Sequence, residues 1–325
     1  MNSKIIKKYC TKPLQLISSI LAKHSYELAR VPGWRFDFAD DKLNWIGKAR
    51  LKIWKISLRH ELNLEVLVNW YRNIHIKLTL GNDASRLIYV GGWLEPNELL
   101  AAQKILKPGM TAIDVGANEG HFSLFFASCV HPGGHVVAVE PSEREILALQ
   151  RNISLNPELE VVVQKSACGD HEGEAILLIA DAEHRGQNTL GSFVYDCTRI
   201  AARQKTRIFT LDQLVEQQRL QHVHFIKIDV EGAEDLVVEG ARNTLMVFRP
   251  VLLLEILEPA LRQQRASGAA LLHKLGKLGY AILILRQQDG MWQLWHENSG
   301  VPLSENILAV PQDGKDHYLQ ILNKG

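Results

Sequence analysis

Carboxylates end four apolar segments of this chain, and side chains of this type bind hydroxyl groups, attract cations and take up protons. The segments run over residues 112–114, 136–140, 226–229 and 252–255. Each has the near-continuous apolar character of a strand buried in a parallel sheet. Because ligands of such sheets bind beyond the carboxyl ends of the strands, we expect the carboxylates to line one shared crevice.

The first segment continues into a glycine-rich loop, Asp114-Val115-Gly116-Ala117-Asn118-Glu119-Gly120, which precedes a predicted helix. Gly116 permits a sharp turn and the close approach of a ligand, and Gly120 lets the helix begin tightly. The free amides and partial positive charge of a helix N-terminus bind carboxylate and phosphate groups. The loop therefore predicts a binding site for the anionic end of a ligand.

Glu140 ends the next predicted strand, 24 positions after Gly116. A carboxylate at about this spacing accepts the ribose hydroxyls of a nucleoside cofactor, and the two motifs fit a dinucleotide and S-adenosylmethionine alike. Two details distinguish these cofactors. Asn118 stands where the dinucleotide fingerprint has its second glycine and would crowd a pyrophosphate, and Asp114 would repel it. The same negative charge attracts a sulfonium, so the residues favour S-adenosylmethionine.

The third and fourth segments supply the candidate catalytic residues Asp229, Glu231 and Glu255. Asp229 is the first candidate for a general base that takes the proton of a methyl acceptor, or for a group that orients it. Alternatives are a charge that opens the next helix for Glu255 and a structural ion-pair network for Lys227 and Glu234. Three hard oxygen ligands would also suit a metal ion, but no ligand spacing recurs, and we predict no metal.

Strand and helix patterns alternate from about residue 86 onward. Apolar runs such as 111–115 and 135–139 alternate with amphipathic segments such as 143–155. This order is typical of a doubly wound α/β sheet with helices on both faces. We therefore predict a basic, mostly helical N-terminal extension over residues 1–85 and an α/β domain over residues 86–325.

Three local patterns add detail to this architecture. Residues 58–69 keep helical spacing, and residues 74–80 alternate as in a strand. The apolar runs over residues 87–90 and over residues 161–167 each predict one strand.

Together these blocks resemble the FkbM-type methyltransferase family. The resemblance covers roughly residues 87–311 and rests on Gly92-x-x-Glu95-Pro96, Ile113–Gly120, Val139-Glu140-Pro141, Asn152-x-x-x-Asn156, Lys227-Ile228-Asp229-Val230-Glu231-Gly232-Ala233-Glu234 and Pro250–Glu255. The family implies a class I, Rossmann-like methyltransferase fold whose seven-stranded sheet has one antiparallel strand. It also implies S-adenosylmethionine-dependent O-methylation, often of sugars in glycans, glycolipids or secondary metabolites.

The resemblance also implies roles for single residues. The methionine end of the donor would be held by Asp114, Gly116, Asn118 and Gly120, its ribose by Glu140 and its adenine amino group by Asp170. The loop over residues 181–196 would contact the acceptor through His184, Asn188, Thr189 and Ser192. His184 is a further candidate base.

Composition and charge limit the remaining choices. Apolar residues make up 46% of the 325 residues, enough for a sizeable core. Residues 1–80 hold 15 Lys and Arg against 6 Asp and Glu, whereas the rest of the chain is net acidic. The positive charge of this segment would allow a peripheral contact with an anionic membrane surface, or would allow its helices to dock on a neighbouring acidic part of the protein. It lacks aromatic-basic interleaving, so we expect no nucleic-acid partner.

The four cysteines are scattered without a CxxC pair, which fits a reducing compartment. No signal peptide is recognisable. We therefore expect a cytoplasmic S-adenosylmethionine-dependent O-methyltransferase that acts on a hydroxyl of a sugar, glycan or glycosylated metabolite. The alternatives are a methyltransferase that acts on nucleic acid or protein, and a non-catalytic S-adenosylmethionine-binding scaffold whose N-terminal helices bind a partner or a membrane.

Overall fold

The computed structural model describes residues 11–22, 28–33, 43–296, 300 and 304–324. Its strands are β1 (Glu65–Asn69), β2 (His75–Thr79), β3 (Thr111–Val115), β4 (His135–Val139), β5 (Val161–Gln164), β6 (Ala167–Cys168), β7 (Gly173–Ala180), β8 (Ile200–Phe209), β9 (Phe225–Ile228), β10 (Val251–Leu257), β11 (Tyr280–Arg286), β12 (Met291–Leu294) and β13 (Ser304–Pro311). Its helices are α1 (Thr11–Leu21), α2 (Trp45–His60), α3 (Asp83–Ser85), α4 (Pro96–Ile105), α5 (His121–Val130), α6 (Glu143–Ser154), α7 (Leu211–Gln217), α8 (Glu234–Glu239), α9 (Arg242–Phe248), α10 (Glu258–Gln263), α11 (Gly268–Lys277) and α12 (Lys315–Asn323). Among the described residues, no helix combines the length and the apolar character needed to cross a bilayer.

Eight strands form the central sheet, in the order β12-β11-β13-β10-β9-β3-β4-β5. The strands β3, β4, β5, β9 and β10 run parallel to one another. β11 has the same direction, because β10 and β11 both pair antiparallel with β13. The α/β sheet is confirmed, with one strand more than the seven predicted. The additional strand is β12, which forms an antiparallel hairpin with β11 at the sheet edge.

The direction in which strands are added reverses between β3 and β9. From β3 the chain proceeds to β4 and β5 on one side, and from β9 it proceeds to β10 on the other. β3 and β9 are buried at every position. The Asp229 amide donates to the Val115 carbonyl at 3.1 Å, which joins the loops that follow these two strands. Doubly wound sheets bind their ligands at such a switch point.

The first part of the described chain combines helices, as predicted, with an antiparallel hairpin. α2 ends at His60, where Glu61 adopts a left-handed backbone with φ of 48° and closes the helix. β1 and β2 then pair antiparallel. The helical spacing of residues 58–69 therefore does not correspond to one helix, whereas the alternation over residues 74–80 does mark a strand.

This first part shares one hydrophobic core with the helices of the α/β domain. Leu64, beside the hairpin, and Phe125 of α5 are fully buried in the same continuous cluster. The Asn152 side chain of α6 accepts the Lys77 amide of β2 at 2.9 Å. The predicted boundary between residues 85 and 86 is therefore not a boundary between two cores.

Two local strand predictions are wrong. Residues 87–90 form a helical turn, because Asn82 and Ser85 make a capping box in which the Asn82 side chain accepts the Ser85 amide at 2.8 Å. The strand predicted over residues 161–167 divides into β5 and β6. β6 belongs to a small sheet with the order β6-β8-β7, so the chain leaves the central sheet after Gln164.

Candidate functional site

A cavity of about 470 Å³ opens beyond the carboxyl ends of β3, β4 and β9. Ligand pockets usually measure about 300–1,000 Å³, so the cavity is large enough for a cofactor. Six of the nine predicted site residues line it, namely Gly116, Asn118, Glu140, Asp229, Glu231 and Glu255. The other three predicted residues lie elsewhere and are described below.

The loop after β3 turns sharply because three of its residues adopt a left-handed backbone. Gly116, Asn118 and Gly120 have φ of 82°, 49° and 88°. A side chain at Gly116 would place its Cβ 1.8 Å from the Asp229 carbonyl oxygen, so glycine is required where this loop packs on the loop after β9. The Asn118 side-chain oxygen is buried without a hydrogen-bond partner, which leaves an acceptor for a ligand.

We expect Gly116→Ala to destabilise the protein more than a matched variant, Gly109→Ala. Gly109 has almost the same φ, 84°, and no atom lies within 4 Å of an added Cβ. Gly109→Ala therefore measures the backbone strain alone, about 1–2 kcal/mol. Gly116→Ala adds the clash with the Asp229 carbonyl and is expected to cost about 1–3 kcal/mol more. Denaturant unfolding measures both losses, and equal losses would show that the contact with Asp229 does not constrain the loop.

Glu140 follows β4 and organises the same loop. Its Oε2 accepts the Asn118 amide and its Oε1 accepts the Ser142 amide, each at 2.8 Å. Burial raises the pKa of this carboxyl to about 8. Each carboxylate oxygen can accept a second hydrogen bond. Glu140 can therefore bind the two hydroxyls of a ribose while it keeps the loop in place.

Asp114 and Gly120 are not among the residues that line the cavity, and their predicted contacts with a cofactor stay predictions. The Asp114 side chain is fully buried; Ser123 Oγ donates to its Oδ2 at 2.5 Å and Lys227 Nζ lies 3.7 Å from its Oδ1. Because Lys227 balances its charge, Asp114 supports the site from within the core. An added Cβ at Gly120 would meet Leu149 at 2.4 Å, so Gly120 is a packing residue at the start of α5.

Asp170 also lies outside the cavity lining, and its predicted contact with adenine stays a prediction. Its side chain is exposed, and its Oδ1 lies 2.6 Å from His171 Nδ1. Ser166 and Cys168, just before it, do line the cavity. Cys168 pairs with Phe209 of β8, and this pairing carries the chain away from the site before it reaches Asp170.

The three predicted catalytic carboxylates meet at the cavity. Asp229, Glu231 and Glu255 each place one oxygen within 4.8 Å of the others, and all three side chains are half-buried. Such a group can share protons or hold a divalent cation. In the part of the chain that the structure describes, it is the one cluster with the geometry of a metal site.

Asp229 differs from the two glutamates because a lysine is paired with it. Lys227 Nζ donates to Asp229 Oδ2 at 2.8 Å. Burial and the neighbouring carboxylates raise the pKa values of Glu231 and Glu255 well above the usual range. A base is most effective when its pKa lies near the working pH. The raised pKa values therefore make Glu231 and Glu255 better proton acceptors than ordinary carboxylates.

Glu95 and Asn306 extend this acidic side of the cavity, and the sequence did not identify them as site residues. Both line the cavity, and Asn306 Nδ2 donates to Glu95 Oε2 at 3.1 Å. Burial and nearby carboxylates raise the pKa of Glu95 well above the usual range. The Glu95-Pro96 motif at the start of α4 was a visible signal. Asn306 gave none, because only the pairing of β13 with β10 sets it opposite Glu255.

Left-handed backbone occurs at three non-glycine residues of the cavity wall, Glu95, Asn118 and Glu231, with φ of 39°, 49° and 55°. Such residues cost about 1–3 kcal/mol each and concentrate at functional sites. Thr189 Oγ1 donates to the Glu231 carbonyl at 3.0 Å. The Glu234 carboxylate accepts the amides on either side of Glu231 at 3.1 Å. Glu234 thus has a structural role through backbone amides, not through the ion-pair network with Lys227 that was the alternative, and it fixes Glu231 in place.

Only two of the four polar side chains predicted to contact the acceptor from the loop over residues 181–196 line the cavity. His184 and Asn188 line the cavity, whereas Thr189 is buried against Glu231 and Ser192 is exposed outside it. The His184 Nδ1 lies 2.9 Å from a carboxylate oxygen of the same loop, which orients the imidazole ring.

The N-terminal part of the chain also contributes to the cavity wall. Asp83 and Ala84 line the cavity, and the Asp83 amide donates to the Glu183 carbonyl at 3.0 Å. Burial raises the pKa of Asp83 to about 6. The cavity therefore spans the predicted boundary between residues 85 and 86.

His121 begins α5 in the cavity wall and makes stability depend on pH. Its Nε2 is buried without a hydrogen-bond partner, and its ring packs edge-on against Trp70 with centroids 6.1 Å apart. Burial lowers the pKa of His121 from 6.5 to about 4, so the unfolded chain binds a proton that the folded protein does not. We expect His121 to lower the free energy of unfolding as the pH falls from 6.5 towards 4, by about 2 kcal/mol at about pH 5.

Denaturant unfolding of the wild type and of His121→Phe over this pH range tests this expectation. Phe keeps the packing against Trp70 but does not titrate, so the stability of the variant is expected to fall less towards low pH. His75→Phe, at an exposed position, is the control and should leave the pH dependence unchanged. If the free energy of unfolding varied with pH in the same way for the wild type and for His121→Phe, His121 would have the same pKa in the folded and the unfolded state.

The fold and the site define the class of protein. Without the edge strand β12, the sheet order β5-β4-β3-β9-β10-β13-β11, with β13 antiparallel, is that of a class I S-adenosylmethionine-dependent methyltransferase. A family model described as the methyltransferase FkbM domain matches residues 114–282. The chain belongs to this family, whose methyl donor is S-adenosylmethionine. No curated protein sequence matches the chain.

Solved structures of several methyltransferases resemble the chain. Methyltransferase FkbM from Methylobacillus flagellatus KT aligns with 14% identity and a TM-score of 0.38 over 70% of this chain and 53% of its own, so the match spans about half the length of that protein. Precorrin-6y C5,15-methyltransferase from Geobacter metallireducens GS-15 aligns with 13% identity and a TM-score of 0.38 over 66% of this chain and 88% of its own. Fibrillarin from Aeropyrum pernix, solved with bound S-adenosylmethionine, aligns with 14% identity and a TM-score of 0.36 over 66% of this chain and 74% of its own.

Proposed function

We propose that the protein transfers a methyl group from S-adenosylmethionine to a hydroxyl of a sugar, a glycan or a glycosylated metabolite. The observation that carries this proposal is the group of three carboxylates, Asp229, Glu231 and Glu255, next to the loop of a methyl-donor site. A hydroxyl acceptor must lose a proton when it is methylated, and carboxylates can both orient it and take that proton.

The donor site would use residues of the loops after β3 and β4. Glu140 would accept the ribose hydroxyls, and the unpartnered Asn118 oxygen and the backbone at Gly116 would contact the methionine end. The acidic side of the cavity suits the positive charge of the donor. When bound, S-adenosylmethionine supplies an electrophilic methyl carbon on a sulfonium.

The acceptor side favours a neutral polyhydroxy compound. Glu95, Glu231, Glu255 and Asn306 present hydrogen-bonding oxygen and amide groups to the cavity. Lys227, Arg86 and Arg185 are cations of the cavity lining. The charge of Lys227 is taken up by Asp229 and Asp114 at 2.8 and 3.7 Å, and Arg185 is paired with Glu119 at 3.2 Å. An acceptor that carries a carboxylate or phosphate at this position would be repelled, whereas vicinal hydroxyls can donate to the carboxylates.

Glu231 and Glu255 would act together as the proton acceptor. Like charges at this distance cannot both ionise easily, so the pair would keep one proton to higher pH than an ordinary carboxyl, and its ionised member would take up the proton of the hydroxyl. Asp229 would be a positioning residue, because its hydrogen bond with Lys227 holds its carboxylate in place. This assignment differs from the sequence hypothesis, in which Asp229 was the first candidate.

A labelled-methyl transfer assay with the full chain tests the proposed function. The acceptors are neutral oligosaccharides, the corresponding uronic acids, RNA and a protein mixture, each with labelled S-adenosylmethionine. Label in the neutral sugars, and mass spectrometry showing one methyl lost from surface glycans of a deletion strain, would support the proposal. Label only in RNA or protein would overturn the acceptor class. A complete loss of activity on chelation would show that the three carboxylates hold a metal ion instead of taking the proton.

A further inference from the structure

α2 carries a row of cations on its outer side, which we name the basic face. Lys48, Lys52, Lys55 and Arg59 follow one another at spacings of four, three and four residues, which places them on one side of the helix. All four are exposed, and α2 contains no acidic residue. Where the structure describes the chain, Lys48, Lys52 and Arg59 have no ion pair, so their charge is directed to solvent.

Large apolar side chains accompany the basic face. Trp45, in the first turn of α2, is 75% exposed. The neighbouring helix α1 leaves Leu16, Ile17 and Ile20 exposed by 65%, 46% and 58%. The two helices are joined, because Arg50 of α2 donates to the carbonyl of the last residue of α1 at 2.8 Å. Two joined helices that carry both exposed cations and exposed aliphatic and aromatic side chains have the composition of helices that bind in a membrane interface.

A groove of about 330 Å³ runs along the basic face. Its lining combines the four cations with the apolar side chains of Leu51 and Ile56. An anionic headgroup with attached acyl chains offers both kinds of partner in one molecule. The groove therefore offers such a lipid a concave surface in addition to complementary charge.

We propose that α1 and α2 dock on the surface of a bilayer that contains anionic phospholipid, with the basic face against the headgroups and Trp45 in the interface. A nucleic acid would use the cations but offers no partner for the aliphatic side chains of α1, so the observations favour the bilayer. The buried side of α2 contacts the cavity wall, since Trp54 Nε1 donates to Ser85 Oγ at 2.9 Å, two residues after Asp83. The inference does not depend on methyl transfer.

Sedimentation of the purified full chain with lipid vesicles tests this inference. We expect binding to vesicles of phosphatidylglycerol and phosphatidylcholine, no binding to phosphatidylcholine alone, and weaker binding as salt increases. Each cation near an anionic surface contributes about fivefold to the affinity. The combined variant Lys48→Glu, Lys52→Glu and Arg59→Glu is therefore expected to lose about 100-fold or more. Trp45→Ala is expected to weaken binding at high salt as well, because apolar burial is not screened.

The matched control is the combined variant Arg203→Glu, Lys205→Glu and Arg207→Glu, which makes the same charge change at three exposed positions of β8. It should keep vesicle binding. Thermal unfolding shows whether either combined variant is folded, and Trp45→Ala provides an independent test if one is not. Equal losses in both combined variants, wild-type binding by the α2 variant, or retention of the wild type by RNA but not by vesicles would each overturn the inference.

Discussion

Replacing Glu255 with glutamine is expected to lower the turnover of methyl transfer about 10²–10⁴-fold, the usual contribution of a general base. Glutamine keeps the size of the side chain and removes its ability to take a proton. Binding of S-adenosylmethionine, measured by titration calorimetry, is expected to remain, because the donor residues follow β3 and β4. A loss of donor binding with normal turnover of the bound complex would contradict the assigned role.

The pH dependence of turnover gives a second test of Glu255. Burial and the neighbouring carboxylates raise the pKa values of Glu231 and Glu255. The ionised fraction of the pair, and with it the rate of methyl transfer, is therefore expected to rise with pH over a range above that of an ordinary carboxyl. In Glu255→Gln the repulsion is removed, so the pKa of Glu231 falls. We therefore expect the residual activity of the variant to have its acidic limb at lower pH than the wild type.

Two further variants distinguish the role of the Glu231 and Glu255 pair from the role of Asp229. Residues that act as a unit show non-additive losses, so Glu231→Gln combined with Glu255→Gln should lose little more than the more severe single variant. Asp229→Asn also removes a carboxylate, but it leaves the glutamate pair intact and disturbs Lys227. A larger loss of turnover in Asp229→Asn than in Glu255→Gln, with the acidic limb lost in Asp229→Asn and unchanged in Glu255→Gln, would return the role of base to Asp229.

Glu140→Ala is expected to weaken the binding of S-adenosylmethionine by about 10²-fold or more. The carboxylate would bind two ribose hydroxyls, and each hydrogen bond to a charged group contributes about 1.5–3 kcal/mol. The variant also removes the acceptor of the Asn118 amide and so loosens the donor loop. Titration calorimetry measures the loss, and an unchanged affinity would refute the ribose assignment.

The raised pKa of Glu140 predicts how donor binding varies with pH. With a pKa of about 8, the free protein carries a proton on this carboxyl near neutral pH, and a donor that prefers the carboxylate must displace it. Donor affinity is therefore expected to rise with pH by up to about tenfold per unit until about pH 8. Glu140→Gln cannot ionise, so its weaker binding should not vary in this way. The same slope in Glu140→Gln would assign the titration to another group.

The loops of the proposed donor half could be predicted because their determinants are local. The turn after β3 needs glycine at residue 116 and a polar residue at 118, and the acidic residue at 140 ends the next strand; these features follow one another within a short stretch of chain. Neighbouring parallel strands then bring the loops after β3 and β4 together. Asp114, Gly120 and Asp170 were also predicted for this half but do not line the cavity. Their positions depend on contacts with Lys227, with Leu149 and with β8, which local spacing does not show.

The acceptor half was predictable only in part. Asp229, Glu231 and Glu255 were expected there because they end or follow strands, but Asn306 comes from a strand near the C-terminus. Asp83 comes from a part of the chain that was assigned to a separate extension. Neither residue has a sequence motif, since contacts between distant segments leave no mark in local spacing.

The sequence by itself determined the class of fold, the methyl donor and the carboxylates available for chemistry, because apolar periodicity and turn-forming residues act over short distances. The tertiary structure decided which carboxylates share a cavity, which one is neutralised by Lys227 and which pair keeps a raised pKa. The physical reason is that a carboxyl pKa depends on burial and on charges within a few ångströms, and strand order sets both.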